Sequence, residues 1–464
     1  MTCLANGVVA QTPRSRPLTD YVGTYVDAPG SVIELLAGDE LVAVQDEARY
    51  PMRAAGVDTF TTASGQRIPF IRNAAGVVTG YEEGGQFHPR KSRVVSANTA
   101  ALLRPRPVSE GGPGDYRYHA PPDLRDGIAV GDIAGSALDT ATAAAVVRAI
   151  LDGTYQDVHS VLLYQRGRLV LEEYFYGYSA KRQQQLRSAT KSVVSTLAGI
   201  AIDHHSLSGT EELVAPRLSY RTYDYPDPRK SAITLGDFLS MSSGLDCNDH
   251  SDTSPGRETI IDDTPDWVKA TLDLPMINDP GRQGYYCSGG VAVVGRTVEN
   301  AVHMTLPTFA RRYLFRPLGI ADSNWTWNYT LTNADKEYSQ IHLRPRDMLK
   351  LGIVYADSGR WQGRQVVSAA WIAAATAEHS QVDSTSYGYF WWRPWINVVT
   401  PGGTQQVHMV AAQGNGGQKI YLVPQYDLVA VFTAGDYNAS SAPPNKIMGR
   451  IVLPALIAAY GHKP

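Results

Sequence analysis

Cysteine is nearly missing from this chain. Cys3, Cys247 and Cys287 are the only three in 464 residues. That is no disulfide framework, and no C-x-x-C pair offers metal spacing. Cys247 and Cys287 read as two separate thiols, with a bridge between them left open. No apolar run approaches the roughly 18 residues needed to span a bilayer. Neither sign of charge dominates: the net charge is −3 and charged residues make up 19%. Nucleic acid and anionic membranes therefore have no electrostatic claim on it. No P-loop and no G-x-G-x-x-G occurs, which removes nucleotide-dependent chemistry. No G-x-S-x-G elbow occurs, which argues against an α/β-hydrolase. H-E-x-x-H is missing too, and the adjacent His204 and His205 do not share a helix face, so they read as a polar helix end. Neither a metal nor a cofactor is expected.

Val8-Val9-Ala10-Gln11 fits the end of a trimmed export signal, but the charged and long apolar regions of such a signal are missing. The chain reads as soluble. Its compartment stays open, with periplasm or secretion preferred over cytoplasm.

What is present is an ordinary globular composition, 43% hydrophobic, in a chain too long for one small core. Two domains are the default expectation. After a tail at 1–17, residues 18–103 read as a small antiparallel β sheet or barrel. Short alternating runs recur at Tyr21–Val26, Val32–Leu36, Leu41–Val44, Thr59–Thr62, Ile68–Ile71, Val77–Tyr81 and Arg93–Ser96, with Gly, Asp and Asn between them. Residues 104–123 have Pro- and Gly-rich linker composition. The second unit starts near Tyr116, and its catalytic part is counted from 124 to 464.

In that second unit, Thr140–Leu151 has a helical pattern. His159–Tyr164 and Arg168–Tyr174 form a strand pair around Gln165-Arg166-Gly167. Helices are expected at Thr234–Ser240 with Thr234 as N-cap, at Pro307–Leu314, at Arg346–Tyr355 and at Lys446–Tyr460. Gln418–Val423 and Leu428–Thr433 alternate like paired strands. Helices mixed with antiparallel hairpins define an α+β fold.

Ser188-Ala189-Thr190-Lys191 opens an apolar helical run, and Ser188 is the only serine with lysine three residues on. One helical turn puts both on the same face. A serine hydroxyl attacks at neutral pH only when a base takes its proton, and a lysine with a pKa lowered by burial can be that base. Two further segments stand where such a site needs them. Tyr286-Cys287-Ser288 offers a phenol and a hydroxyl in a Gly-flanked loop, although Tyr286 is one of 26 tyrosines. Gly414-Asn415-Gly416-Gly417-Gln418 opens a strand, where glycines let a substrate approach the backbone and an N–H can pair with that of Ser188 as an oxyanion hole. By itself it reads rather as a glycine-rich hairpin turn. Asp246 and Asp249 read as a solvated loop near the cleft mouth. Tyr387, Tyr389, Trp391 and Trp392 read as strand packing.

The order and spacing of the three motifs resemble the serine β-lactamase and penicillin-binding-protein superfamily. The likeness is strongest to its esterase and amidase branch, the family VIII carboxylesterases and 6-aminohexanoate-dimer hydrolases. Leu239-Ser240-Met241-Ser242-Ser243-Gly244-Leu245-Asp246, Pro317-Leu318-Gly319-Ile320 and Tyr387-Gly388-Tyr389-Phe390-Trp391-Trp392 carry it further. The resemblance implies a β-lactamase-like domain, with an antiparallel sheet flanked by helices beside a helical lobe and the site in the cleft between. Ser188 would be acylated, Lys191 would accept or relay its proton, and Tyr286 would pass a proton to the leaving group. The backbone N–H groups of Ser188 and Gln418 would hold the oxyanion. Ser288, Asn415, Gly416 and Gly417 would bind substrate. The N-terminal segment resembles small lipocalin-like domains that accompany some of these hydrolases, and a structural role is preferred for it.

Two departures narrow the reading. Penicillin-recognising members usually carry Asn where Ser288 stands, and Lys-Thr-Gly or His-Thr-Gly where Asn415-Gly416-Gly417 is aligned. The cation for a substrate carboxylate is therefore missing at that position. The expected activity is hydrolysis of a small or medium ester or amide through an acyl-enzyme. A penicillin-interactive enzyme and a non-catalytic binding protein on the same fold are the alternatives. Assembly with copies of itself is left open.

Overall fold

The computed structural model describes residues 16–27, 31–45, 48–62, 65–106, 110–327, 340–438 and 442–461. Cys3 and the export-signal reading at 8–11 lie outside the described residues. The chain divides into two compact units, Met1–Glu110 and Gly111–Pro464. Among the described residues no helix is long and apolar enough to cross a membrane.

The first unit is a closed antiparallel barrel of eight strands joined in chain order. They are β1 (Gly23–Val26), β2 (Val32–Ala37), β3 (Leu41–Gln45), β4 (Ala48–Gly56), β5 (Thr59–Thr61), β6 (Arg67–Arg72), β7 (Val78–Glu83) and β8 (Gln86–Ser92). Side chains of alternate residues fill the interior, as expected for a barrel of this size. Tyr21, Tyr25, Phe60, Phe70 and Tyr81 meet there edge-on or tilted, with Tyr21 and Phe70 centroids 4.8 Å apart. Arg93–Ser96, expected as a strand, is not one, and β4 and β8 have no counterpart in the alternation pattern. Pro51 and Pro89 interrupt those two strands. Pairing with β3 and β7 makes them strands despite their own composition.

The second unit is built on an eight-stranded sheet in which every pairing is antiparallel. Its order is β10 (Arg168–Tyr174), β9 (Val158–Gln165), Leu428–Ala434, Gln418–Val423, Val410–Gly414, Trp392–Arg393, Thr385–Tyr387 and Ser380–Val382. The turn joining β9 to β10 is Arg166-Gly167, one residue tighter than expected, with φ of 51° and 76°. Those positive angles match the twist of a two-residue hairpin. Thr140–Leu151 is a helix at the expected bounds, with Asp139 as its N-cap. The helix Pro345–Ala356 lies so close to the sheet that a Cβ on Gly352 would meet Val429 at 2.6 Å.

Helices Thr190–Asp203, Leu235–Leu239, Trp267–Asp273 and Gly289–Val302 contribute to the same core. The Thr234 hydroxyl and the Asp237 carboxylate form a reciprocal capping box, as the N-cap at Thr234 requires. Gly289–Val302 carries eleven buried residues, with Arg296, Glu299 and Asn300 on its less buried face.

Residues 116–126 are bound to the second unit despite their linker composition. Tyr116 donates to Glu173 at 2.7 Å, and Tyr118 donates to the Val170 carbonyl at 3.1 Å. Arg346, 1% exposed, gathers this segment: it reaches Glu172 at 2.7 Å, Asp126 at 3.0 Å and the Pro122 carbonyl at 2.7 Å. Removing one partner of a buried ion pair leaves charges uncompensated. Arg346→Met is therefore expected to lower the unfolding free energy of the second unit by about 3–5 kcal/mol in equilibrium denaturation.

Candidate active site

Ser188 lies in a single 3-10 turn, Arg187–Ala189, that runs into the helix Thr190–Asp203. Arg187 has φ of 51°, a left-handed backbone for a residue that is not glycine. Such strain persists only where the surroundings impose it. They do so from three sides. The Leu186 N–H donates to the Ile341 carbonyl at 2.8 Å, and the Ser192 hydroxyl donates to the Phe390 carbonyl at 2.7 Å. From the sheet, a Cβ on Gly414 would fall 2.1 Å from the Leu186 carbonyl and 3.1 Å from Arg187 Cβ. The close approach that glycine permits here is therefore that of the strand end to the serine turn.

One turn on, Lys191 is 1% exposed. Its Nζ donates to Ser188 Oγ at 3.0 Å and to Ser288 Oγ at 3.1 Å. It also lies 4.9 Å from the Tyr286 ring centroid and hydrogen-bonds with that side chain. The three motif residues Ser188, Lys191 and Tyr286 thus converge from segments about 100 residues apart. Burial pushes the Lys191 pKa down, but Tyr286, Glu258 and Asp249 outweigh it, and the ammonium ends above the ordinary lysine value. The expectation of a lysine made basic by burial is reversed. A base must be unprotonated to take a proton, and this amine is held charged.

Tyr286 is 8% exposed. Its ring stacks on His250 at 5.1 Å and 4°, and on Trp392 at 5.4 Å and 27°. Trp392, expected only to pack its strand, thus touches the site. Cys287 is disulfide-bonded to Cys247, with Cα atoms 5.1 Å apart. That corrects the reading of two separate thiols: sequence distance hid a pair that the fold brings together. Ser288 is 1% exposed and faces Lys191. Asp249, expected in a solvated loop, is half-buried behind the motif, and its carboxylate accepts the Ser288 N–H at 2.8 Å. Burial pushes this carboxyl up, against the pull of Lys191.

The third motif is the turn of a hairpin. Asn415 Nδ2 donates to Asn438 at 2.7 Å. Gly416 and Gly417 have φ of 84° and 95°, and a Cβ on Gly416 would strike the Tyr437 ring at 2.6 Å. The Gln418 side chain is buried and donates to the Ala434 carbonyl at 2.5 Å. Only the backbone of Gln418 is left to face the serine turn. His250 had no sequence signal, and Asp249 and Trp392 were read as loop and strand packing, because each reaches the site through a contact that no local spacing encodes.

Two measurements check this anatomy. The disulfide spans 40 residues, for which loop-closure entropy gives about 4 kcal/mol. The double variant Cys247→Ser, Cys287→Ser is expected to lose roughly 2–4 kcal/mol of stability in chemical denaturation. On the hairpin, Lys419 Nζ donates to Gln413 at 2.5 Å, and burial pushes its pKa from 10.5 down to about 8. Between those values the unfolded chain holds the proton more tightly, so stability rises with pH there and is lowest below it. Lys419→Met is expected to melt higher than the parent near neutral pH, with the gap closing as pH climbs through that window.

A family model described as Beta-lactamase matches residues 144–447. The 6-aminohexanoate-dimer hydrolase of Paenarthrobacter ureafaciens is 26% identical over 299 residues, 61% of this chain and 73% of its own length. The lovastatin esterase of Penicillium rubens is 29% identical over 190 residues, 38% of this chain and 46% of its own, so this chain spans about half of that relative. The crystal structure of a family VIII carboxylesterase superposes with a TM-score of 0.51 at 14% identity, covering 69% of this chain and 97% of that one, a likeness of fold. The family model covers more than half of the chain, and the chain belongs to the beta-lactamase family.

Proposed function

We propose that this protein is a serine hydrolase that cleaves an ester or amide of a small or medium substrate through an acyl-enzyme on Ser188. The observation that carries this is the 3.0 Å contact between Lys191 Nζ and Ser188 Oγ, with Tyr286 on the same ammonium. Ser188 Oγ bonds to the substrate carbonyl carbon and gives its proton to the Tyr286 oxygen, which takes it as a phenolate paired with the Lys191 ammonium. The Lys191 ammonium stabilises the negative charge on these oxygens during the transfer. The carbonyl oxygen becomes an oxyanion, held by the Ser188 N–H at the helix start and by the Gln418 N–H of the hairpin. Tyr286 then protonates the leaving oxygen or nitrogen as its bond to carbon breaks. Water repeats the sequence on the acyl group: its proton passes to Tyr286, its oxygen attacks, and Ser188 recovers a proton as it leaves.

Lys191 in this scheme orients and stabilises, and Tyr286 moves the proton. Ser288 is the second oxygen that keeps the ammonium aimed. Asn415, Gly416 and Gly417 shape the rim of the substrate cleft. They carry no cation, which favours substrates without an obligatory carboxylate there. The names of the relatives, a dimer hydrolase and an esterase, support hydrolysis of amides or esters.

Nitrophenyl-ester turnover and fluorophosphonate labelling read by mass spectrometry test the reading. Ser188→Ala is expected to lose the label and at least about a thousandfold in kcat. Tyr286→Phe is expected to lose about 10²- to 10⁴-fold while still taking the label slowly. Undiminished hydrolysis by Ser188→Ala ends the proposal.

A further inference from the structure

The Tyr286-Cys287-Ser288 motif is gripped residue by residue by one other segment, Cys247–His250. Cys287 carries the disulfide to Cys247. The Asp249 N–H donates to the Tyr286 carbonyl at 2.8 Å. The Ser288 N–H donates to Asp249 Oδ2 at 2.8 Å. The His250 ring lies flat on the Tyr286 ring. The gripping segment is itself anchored. Asp249 Oδ1 accepts the Glu258 N–H at 2.8 Å, at the start of the helix Glu258–Ile261, and His250 Nδ1 meets the Asp383 carboxylate in the turn after Ser380–Val382.

Asp249 stands at the centre of this arrangement, bonded through its backbone to Tyr286 and through both carboxylate oxygens to N–H groups. A carboxylate has acceptors on both sides and no donor. Asparagine at 249 would turn its NH₂ toward one of the two N–H groups and lose that bond. We infer that Asp249 is the positioning residue of this site: its carboxylate, anchored on Glu258, fixes where Ser288 presents its oxygen to Lys191 and holds the segment whose backbone N–H binds Tyr286. It does not touch the reacting atoms. Its charge acts on the same ammonium, together with Tyr286 and Glu258, while Asp262 and its neighbour Asp263 stand further out in the exposed loop that follows. Two neighbouring residues, Asp249 and Cys247, thereby do in this chain what a rigid loop would otherwise have to do.

The inference rests on the acyl-transfer reading above, and Ser188→Ala tests that reading separately. The test compares Asp249→Asn and Asp249→Ala with the parent, with rates divided by the number of Ser188 sites titrated by fluorophosphonate. Unfolded molecules then drop out of the comparison. Both variants are expected to lose about tenfold or more in kcat with KM within about threefold. The alkaline limb of kcat/KM is expected to move down by about half a pH unit or more, because the ammonium loses an anionic neighbour. A merely structural loss would lower the titrated fraction and leave rate per site and pH profile alone. In the unaltered protein, the Ser288 and Glu258 amides are expected to resist hydrogen exchange at least about tenfold relative to unstructured peptide. Parent-like kcat per site with an unmoved pH profile overturns the inference, as does rapid exchange of both amides. If Ser188→Ala stays active, the hydrolase reading falls instead.

Discussion

A buried ammonium is the constraint on which the site depends. Lys191 has almost no water to solvate it, and an isolated charge in that setting costs several kcal/mol. The fold answers with oxygens. Ser188 and Ser288 hydroxyls accept its hydrogens, Tyr286 lies across it, and the Asp249 and Glu258 carboxylates hold the charge from behind. These oxygens come from three parts of the chain, at 188, at 249–258 and at 286–288. Satisfying the cation therefore assembles the site: the groups around Lys191 include the proposed nucleophile and the proposed proton carrier. Acidic surroundings favour its charged form, which supports the proposed role of electrostatic anchor and leaves proton transfer to Tyr286 in that proposal.

Positioning these oxygens needs rigidity on both sides of the cleft. On one side, the strand Val410–Gly414 presses on the serine turn, with Gly414 leaving no room for a side chain. That contact and the Ile341 hydrogen bond hold Arg187 in its left-handed backbone. On the other side, a disulfide, a carboxylate bridge and a ring stack hold three consecutive motif residues. The sheet and the helices behind it serve both sides at once. The buried Arg346 cluster locks the entering segment 116–126 to the outer strand β10 and to the helix Pro345–Ala356, away from the motif residues.

Much of this was legible in the residues. Regular strands with strong alternation, such as β2 and β3, appear within one residue of their expected bounds, and Thr140–Leu151 and Gln418–Val423 match their patterns. Elements failed to register where local composition opposes the final state. The barrel strands β4 and β8 contain proline, which breaks their alternation. The Gly-rich third motif has two physical readings at sequence level. The structure shows the turn packed on Tyr437 and Asn438, with the strand end at Gly414 against the serine.

The pairing of Ser188 with Lys191 was set by the chain alone, because an i, i+3 pair at a helix start is a local arrangement that follows from helical geometry. The charge state of that amine was not. It depends on carboxylates at 249 and 258, which no spacing relative to Lys191 announces. The pairing of Cys247 with Cys287, the bridge at Asp249 and the stacking of His250 and Trp392 on Tyr286 are likewise decisions of tertiary structure. They join residues tens to hundreds of positions apart, and a contact at that range is specified by how the whole core packs rather than by any period in the sequence.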